Sequence, residues 1–421
     1  MERVVVTGIG LVTPCGVGTE TTWQNVVDGK SGVRKITLFD ASAFPTTIAG
    51  EVPDFEPDRF IPRKKLKEMA RFSHLAVAAS HLCWQDAGFS ETEKPSDAVL
   101  EKTGTFLGVG LGGLEGIYQQ AMTLRDKGPS KLSPYFIPSV IGNLAGGQAA
   151  MALGLRGPSY ANTSACASSA HAIGEAFEWI RRGRAPMMLA GGAEATITGL
   201  GIGGFCAMFA LSRSNDPPEK ACRPWDVARD GFICGEGAGV LMLESLTLAK
   251  ARNARIYAEI TGYGASCDAY HLTKPAPDGE GAQRAMKEAL ADAKLDGTAI
   301  DYVNAHGTST PHGDLEEARA VMKVFGSHAL DKKLWVSSTK SVMGHLLGGA
   351  GGVEAGLSAL SIHRGIVPPT INLDNQDPEA PLDFVPHEAR RREVRNAMSN
   401  SFGFGGTNAT IVLSRFDGTA S

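Results

Sequence analysis

One cysteine among small residues and two histidines among glycines are the side chains of this sequence best suited to nucleophilic chemistry. Cys166 lies in GPSYANTSACASSAHAIGEAFEWIRRG, residues 157–183, which reads as a turn, a short strand and then a helix, with the cysteine near the junction. A helix N-terminus offers free N–H groups and a positive dipole end, and both favour thiolate over thiol. Ala165, Ala167, Ser168, Ser169 and Ala170 are small enough to let a substrate approach the backbone. NAHGTSTPHGD, residues 304–314, places His306 directly after a predicted strand, where α/β folds commonly present functional groups. TKSVMGHLLGGAGG, residues 339–352, puts Lys340 and His345 before a Gly-rich, apolar helix. Singly, such a cysteine is more often a core residue and such a histidine more often structural. All three segments in one chain point to a thiol nucleophile served by two imidazoles.

The elements that must position these residues come in two sets. TGIG at 7–10 follows a β-branched run, and TGYG at 261–264 follows the strand-like IYAEI. The chain thus starts twice, which predicts two related α/β halves, 1–250 carrying the cysteine and 251–421 carrying the histidines. Residues 62–88 read as one helix, with Pro62 near its start and Leu66, Met69, Phe72, Leu75, Ala79 and Leu82 on one face. Strands are expected at 105–109 and 160–164, then a helix at 283–294, a strand at 301–305, a helix at 314–325 and a closing strand at 408–413. No low-complexity linker separates the halves, so they are expected to pack as one body.

Composition narrows the classes of function. With 421 residues, 43% hydrophobic and 20% charged, the chain can bury a sizeable core. A net charge of −4 gives no overall basic field for nucleic acid. The seven cysteines form no C-x-x-C pair and are odd in number, which favours reduced thiols in the cytoplasm. The apolar start at residues 3–14 reads as a strand, not a signal peptide. Residues 186–211 are apolar but carry Glu194 and many glycines, so no membrane span is expected. GVGLGG at 108–113 fits G-x-G-x-x-G, a weak dinucleotide signal in a chain with 51 glycines. His306 and His312 lack the companion ligands of a zinc pattern. Arg63, Lys64, Lys65, Lys67 and Arg71 form a basic face, interrupted by Glu68, that suits an acidic partner.

On the Cys166 segment, NAHGTSTP, SSTKSVMGH and NSFGFGGTN at 400–408, in that order and spacing, the chain resembles the elongating β-ketoacyl-acyl-carrier-protein synthases of the thiolase-like superfamily. The resemblance implies a duplicated five-layer α-β-α-β-α fold in a homodimer. It implies Cys166 as nucleophile, His306 and His345 as the histidine pair, and Lys340 as their electrostatic support. The backbone N–H groups of Cys166 and Phe402 would stabilise an oxyanion. Phe402 would also gate the site, with Gly403, Gly405 and Gly406 freeing its loop. Thr308 and Thr310 would contact a phosphopantetheine arm, and Leu111 would set the depth of the acyl pocket. The basic face would dock acyl-carrier protein, and Asn304, Glu354, Ser399 and Asn400 would surround a monovalent cation. No catalytic metal or organic cofactor is implied, since decarboxylation itself supplies the carbanion.

No cysteine follows Cys267, so a thiolase's second thiol is missing. ASSAH after Cys166 resembles the first elongating subtype. CRPWD at 222–226, NLDN at 372–375, LDFVPHEAR at 382–390 and Leu111 resemble the second, which is the subtype expected. A polyketide ketosynthase would use the same three catalytic residues. A non-catalytic chain-length subunit would typically lack the nucleophile that is present here.

Overall fold

The structure is a computed structural model that describes residues 1–90 and 92–418; Glu91 of the expected first half and residues 419–421 of the second lie outside it. The principal strands are β1 (Val4–Thr13), β2 (Gly104–Gly108), β3 (Ser159–Tyr160), β4 (Met187–Glu194), β5 (Gly237–Ser245), β6 (Ala258–Cys267), β7 (Tyr302–Asn304), β8 (Trp335–Ser337), β9 (Asn396–Gly403) and β10 (Thr407–Ser414). The helices that matter to the site and core are α1 (Arg71–Asp86), α2 (Leu144–Leu153), α3 (Ser168–Arg181), α4 (Glu280–Ala293), α5 (Pro311–Phe325) and α6 (Ala350–Arg364).

The sheet order is β8-β7-β9-β10-β6-β1-β5-β4-β2-β3. It is the same five-strand pattern written twice. In the first set, β1 pairs antiparallel with β5 and β5 with β4, while β4–β2 and β2–β3 are parallel. In the second, β6–β10 and β10–β9 are antiparallel, while β9–β7 and β7–β8 are parallel. The two sets join where Val4, Val5 and Val6 pair antiparallel with Ile260, Glu259 and Ala258.

Helices sandwich these sets in five layers. α1 and α2 pack outside the first set, α4 and α5 outside the second, and α3 with α6 lie between them. β1, β4 and β5 are buried at every residue, as expected for strands covered on both faces, and read as near-continuous runs of apolar and small residues. α6 is buried from Ala350 to Ile362, consistent with a central layer. Among the described residues, no helix is long and apolar enough to cross a membrane.

The paired TGIG and TGYG strings have one packing role. A Cβ at Gly10 would stand 1.9 Å from the Ala79 carbonyl oxygen of α1, and one at Gly264 would stand 2.1 Å from the Ala285 oxygen of α4. In each half the glycine lets the outer helix lie directly on the first strand.

The expected helix at 62–88 is instead a short helix, Arg63–Leu66, and the longer α1. The chain breaks at Ala70, which is extended at φ −82, ψ 166. Arg63, Lys64, Lys65, Lys67 and Glu68 leave that first stretch little apolar surface with which to hold a helix against the core. The strand expected at 160–164 pairs only over Ser159–Tyr160, because the chain then turns into the cysteine segment.

Candidate active site

Cys166 sits in a single 3-10 turn, Ala165–Ala167, that leads into α3. Ala165 adopts φ +50, a left-handed conformation that costs a non-glycine residue on the order of 1 kcal/mol or more and is found at functional turns. The turn is tied down from both sides. The Ser168 hydroxyl donates to the Ala165 carbonyl at 2.7 Å, and the Thr407 hydroxyl donates to the Ser164 carbonyl at 3.0 Å. Cys166 is buried, and that burial pushes its thiol up to about 12 despite the opposing pull of the Lys340 charge and the Phe404 backbone N–H. A helix N-terminus favours the opposite shift, but burial is the largest influence on this thiol.

His306 follows β7 in a loop whose backbone is held by two buried carboxylates of α5. Glu317 accepts from the N–H groups of His306 (2.8 Å) and Gly307 (2.7 Å). Asp314 accepts from Thr308 (2.9 Å), Ser309 (3.1 Å) and Thr310 (3.3 Å). Burial raises Glu317 to about 7 and Asp314 to about 6. His345 follows the short helix Lys340–Met343 and Gly344, which turns at φ +78. Its N–H donates to the Ile233 carbonyl at 2.7 Å, and its own carbonyl accepts from Gly235 at 2.8 Å.

These segments converge. The Cys166 sulfur and a ring nitrogen of each of His306 and His345 all lie within 4.8 Å of one another. The two imidazole rings are 5.3 Å apart and nearly perpendicular. Burial, then the Lys340 charge, holds both histidines well below the ordinary value, so both are neutral at pH 7. Neither ring nitrogen of His345 has a hydrogen-bond partner among the described residues, nor does His306 Nδ1, which leaves donors free for a substrate oxygen. Lys340 is fully buried and forms an ion pair with Glu354 of α6.

A cleft of about 570 Å³ opens onto the three side chains and is also lined by Leu111, Thr308, Thr310, Phe402, Gly403 and Phe404. The Thr308 and Thr310 hydroxyls are 3.0 Å apart. Glu194, at the end of β4, accepts from the N–H groups of Gly110 (2.8 Å), Leu111 (3.1 Å), Gly112 (3.1 Å) and Gly348 (3.3 Å). A Cβ at Gly110 would fall 2.4 Å from the Glu194 Oε2. The GVGLGG string thus wraps a buried carboxylate of the chain itself, and Gly110 is the glycine that this approach requires.

The structure changes the reading of the Gly-rich hairpin. Phe402 lies within β9, paired opposite Asn408, with its ring 5.8 Å from that of His306. Phe404 occupies the turn, beside Gly405 at φ +84 and Gly406 at φ +73, and its N–H is the one that faces the Cys166 sulfur. The turn position and the N–H beside the sulfur therefore fall to Phe404, where Phe402 was expected. Phe402 instead lies in the paired part of the hairpin. The string FGFGG, residues 402–406, contains both candidates, and only the hairpin register separates them. Glu194 and Glu317 lie in no quoted motif, and Asp314, which closes NAHGTSTPHGD, has no role readable from that string. Their role is to bind backbone N–H groups, which leaves little trace in a single sequence.

Gly403 allows β9 to touch the nucleophile turn. An added Cβ would stand 2.8 Å from the Ser164 oxygen and 3.1 Å from the Cys166 nitrogen. Gly403→Ala is expected to displace the turn and slow covalent loading of Cys166 by about 10- to 100-fold, as read by rapid-quench mass spectrometry. A rate within about twofold of the parent would show that the turn tolerates the contact.

Two other expectations are altered. Arg71 is not a free surface cation: its guanidinium makes two 2.6 Å hydrogen bonds to the buried Glu236. A charge already neutralised at short range is not available to a partner. Of the four cation positions, Asn304 Oδ1 and Glu354 Oε2 are buried oxygens without hydrogen-bond partners among the described residues, and Asn304 and Ser399 are neighbours in the sheet register. Asn400 instead accepts from the Thr410 hydroxyl at 2.9 Å and turns its amide toward Glu317 at 3.5 Å. The first two oxygens are thus open to a further partner, whereas the Asn400 side chain is engaged elsewhere.

Residues 1–249 match the model of the β-ketoacyl synthase N-terminal domain, and residues 257–374 match that of its C-terminal domain. The chain is 49% identical to 3-oxoacyl-[acyl-carrier-protein] synthase 2 of Coxiella burnetii, over 98% of this chain and 99% of that one. It is 48% identical to the protein of the same name from Synechocystis, over 99% and 98% of the two chains. Among solved structures, a β-ketoacyl synthase from Burkholderia phymatum superposes with a TM-score of 0.91 at 38% identity, covering 99% of this chain and 100% of that one. The ishigamide ketosynthase/chain length factor superposes with a TM-score of 0.90 at 36% identity, covering 99% of both.

Proposed function

The chain belongs to the β-ketoacyl synthase family, and from that membership and the site we propose that it elongates acyl chains on acyl-carrier protein by decarboxylative condensation in fatty acid biosynthesis. The convergence of the Cys166 sulfur with a ring nitrogen of each of His306 and His345 within 4.8 Å carries this reading. The relatives named 3-oxoacyl-[acyl-carrier-protein] synthase 2 support the second elongating subtype.

In the first half-reaction, Cys166 attacks the thioester carbonyl of acyl-carrier protein. A neighbouring neutral imidazole takes the thiol proton and returns it to the departing pantetheine thiolate. The N–H groups of Cys166 and Phe404 stabilise the oxyanion. Losing one such donor costs on the order of 10² to 10³ in rate. In the second, the malonyl thioester carbonyl accepts hydrogen bonds from His306 and His345. Its C–C bond to the carboxylate breaks, carbon dioxide leaves, and the electron pair is held as an enolate. The enolate carbon attacks the acyl carbonyl and expels the Cys166 thiolate. Neutral imidazoles suit this step because they can donate N–H groups while bringing no charge into a buried site. No cofactor takes part. A monovalent cation at Asn304 and Glu354 would supply only fixed positive charge, and no step runs through it.

We place the halves at 1–250 and 251–421, the first supplying the nucleophile and the second both histidines. Thr308 and Thr310 line the pantetheine approach and Leu111 the acyl pocket. Phe402 packs against His306, and Phe404 serves as the gate. β3 is a sheet edge with exposed backbone, and Tyr160, Ile137, Ile141 and Met151 are exposed apolar residues on β3 and nearby elements, which supports a homodimer formed across this edge. The thiols, all free, fit the cytoplasm.

Carrier docking falls to Lys64, Lys65 and Lys67, which lie on or beside an exposed short helix, with Arg63, whose ion pair with Asp58 is solvent-exposed and weak enough to be displaced, unlike that of Arg71 with the buried Glu236. Lys64→Glu with Lys65→Glu is expected to raise KM for carrier-bound substrate about 10-fold at low salt with unfolding unchanged. Arg71→Ala is expected to do the reverse and lower unfolding stability by about 2–3 kcal/mol. That is less than a fully buried pair would lose, because Arg71 keeps 34% of its side chain exposed. Denaturant unfolding beside carrier titrations separates the two.

The direct test is peptide mass spectrometry after incubation with acyl-carrier thioester. An acyl mass on the peptide holding Cys166 is expected, followed by a product two carbons longer on adding malonyl-carrier protein. Absence of the adduct overturns the proposal.

A further inference from the structure

We propose that Cys166, His306 and His345 also form a site for a thiophilic divalent cation such as Zn²⁺, and that its occupation competes with acyl loading. This rests on the reading of Cys166 as the nucleophile. One sulfur and one nitrogen from each histidine lie within 4.8 Å of one another. Zinc takes such a set, with Zn–S at about 2.3 Å and Zn–N at about 2.0–2.1 Å, and leaves the fourth tetrahedral position open. Ligand atoms at those bond lengths stand roughly 3.3–3.6 Å apart, so a contraction of at most about 1.5 Å by side-chain rotation completes the geometry.

The histidines supply the second observation. His345 is 2% exposed, and neither of its ring nitrogens has a hydrogen-bond partner among the described residues; His306 Nδ1 has none either. Buried polar atoms left unpaired carry a desolvation penalty that any incoming partner relieves. A substrate oxygen is one such partner, and a cation is another. The positive charge already in the site is offset, because Lys340 is paired with Glu354, and Glu317 and Glu194 also line the cleft.

The same unpaired nitrogens set the strength of binding. Resident zinc sites orient each histidine through a carboxylate or carbonyl on its second nitrogen, and losing that partner costs about 10- to 100-fold in affinity. No such partner is present for His345. The metal is therefore an exchangeable inhibitor, removable by a chelator. On binding, the Cys166 S–H proton leaves to solvent as the S–metal bond forms, with no change of oxidation state. The sulfur can then no longer attack a thioester, and an acylated sulfur cannot bind the metal. The three ligands are 140 and 39 positions apart in sequence, by subtraction of their numbers, so no zinc spacing reveals them.

Co²⁺ added to the reduced, metal-free full-length protein is the probe. One equivalent is expected to produce a near-ultraviolet thiolate-to-cobalt charge-transfer band. The band should vanish in Cys166→Ala, persist in Cys267→Ser, which removes the exposed thiol, and weaken at least tenfold in apparent affinity in His345→Ala. Zn²⁺ at ten times its Kd should lower turnover about 11-fold, and EDTA should restore it. A wild-type protein without the band, or a band unchanged in Cys166→Ala, overturns the metal site. Acyl loading of the metal-free protein separates the two readings. Loading without a band rejects the metal site alone, whereas a band without loading supports the metal site and rejects the catalytic reading.

Discussion

Cys166→Ala is expected to abolish acyl loading and to lower condensation by at least on the order of 10⁴-fold, the scale on which removing a covalent nucleophile acts. The cause is local. The sulfur is the group placed beside both imidazoles and under the Phe404 N–H, and alanine leaves the surrounding turn unaltered in shape. Folding should be unaffected, because a buried thiol replaced by a methyl group removes one atom from a well-packed turn. Circular dichroism and the unfolding midpoint would establish that before activity is read.

The same residue can divide the reaction. Decarboxylation needs only His306, His345 and a bound malonyl thioester, so Cys166→Gln is expected to keep releasing carbon dioxide while forming no longer chain. A Cys166→Ala protein that elongates at the parent rate would remove Cys166 from the mechanism. A Cys166→Gln protein that releases no carbon dioxide would show that the histidines do not act independently of the sulfur.

The second large effect is expected at Lys340. Its ammonium and the Glu354 carboxylate are both buried, and breaking such a pair by removing one partner costs about 3–5 kcal/mol because the other is left charged in a low-dielectric interior. Lys340→Met is therefore expected to be strongly destabilised at pH 8. The sign of the pH dependence follows from Glu354. Burial already raises it above its ordinary range, and losing the lysine removes the two influences that pull it down. A carboxyl raised in the folded state favours folding at low pH and withdraws that support as pH rises through its folded value. The deficit of Lys340→Met should thus shrink between pH 8 and pH 5. Lys340→Met with Glu354→Leu should recover most of it. Urea unfolding of the three proteins at both pH values measures the effect, and equal midpoints for parent and Lys340→Met at pH 8 would refute it.

Catalysis should shift too. The Lys340 charge is one of the influences holding His306 and His345 low. Without it both imidazoles bind protons more readily, so the acidic limb of the pH–rate profile is expected to move upward. A lysine that served only packing would leave that limb in place.

Much of this protein is written in short strings whose physical role survives without coordinates. TGIG and TGYG marked the two starts because a helix can lie on a strand only where Cβ atoms are missing, and that requirement fixes residue type locally. Cys166, His306 and His345 were legible for a related reason: each sits at an end of an element among small residues, a pattern that folding elsewhere in the chain does not disturb. Residues 62–88 were misread as one helix because apolar spacing continues through the basic run, while the contacts that would reward a helix there do not exist.

What the sequence by itself determined was which groups are candidates to react and the duplicated α/β plan, both properties of residue type and local period. Only the tertiary structure decided how those groups behave. It placed three side chains from distant segments within 4.8 Å, and it buried the thiol, which pushes it up where a helix start favours the opposite. It also moved the backbone donor from Phe402 to Phe404 through hairpin register, and committed Arg71 to Glu236. Distance, burial and register arise from contacts between residues far apart in the chain, so they exist only once the layers have packed.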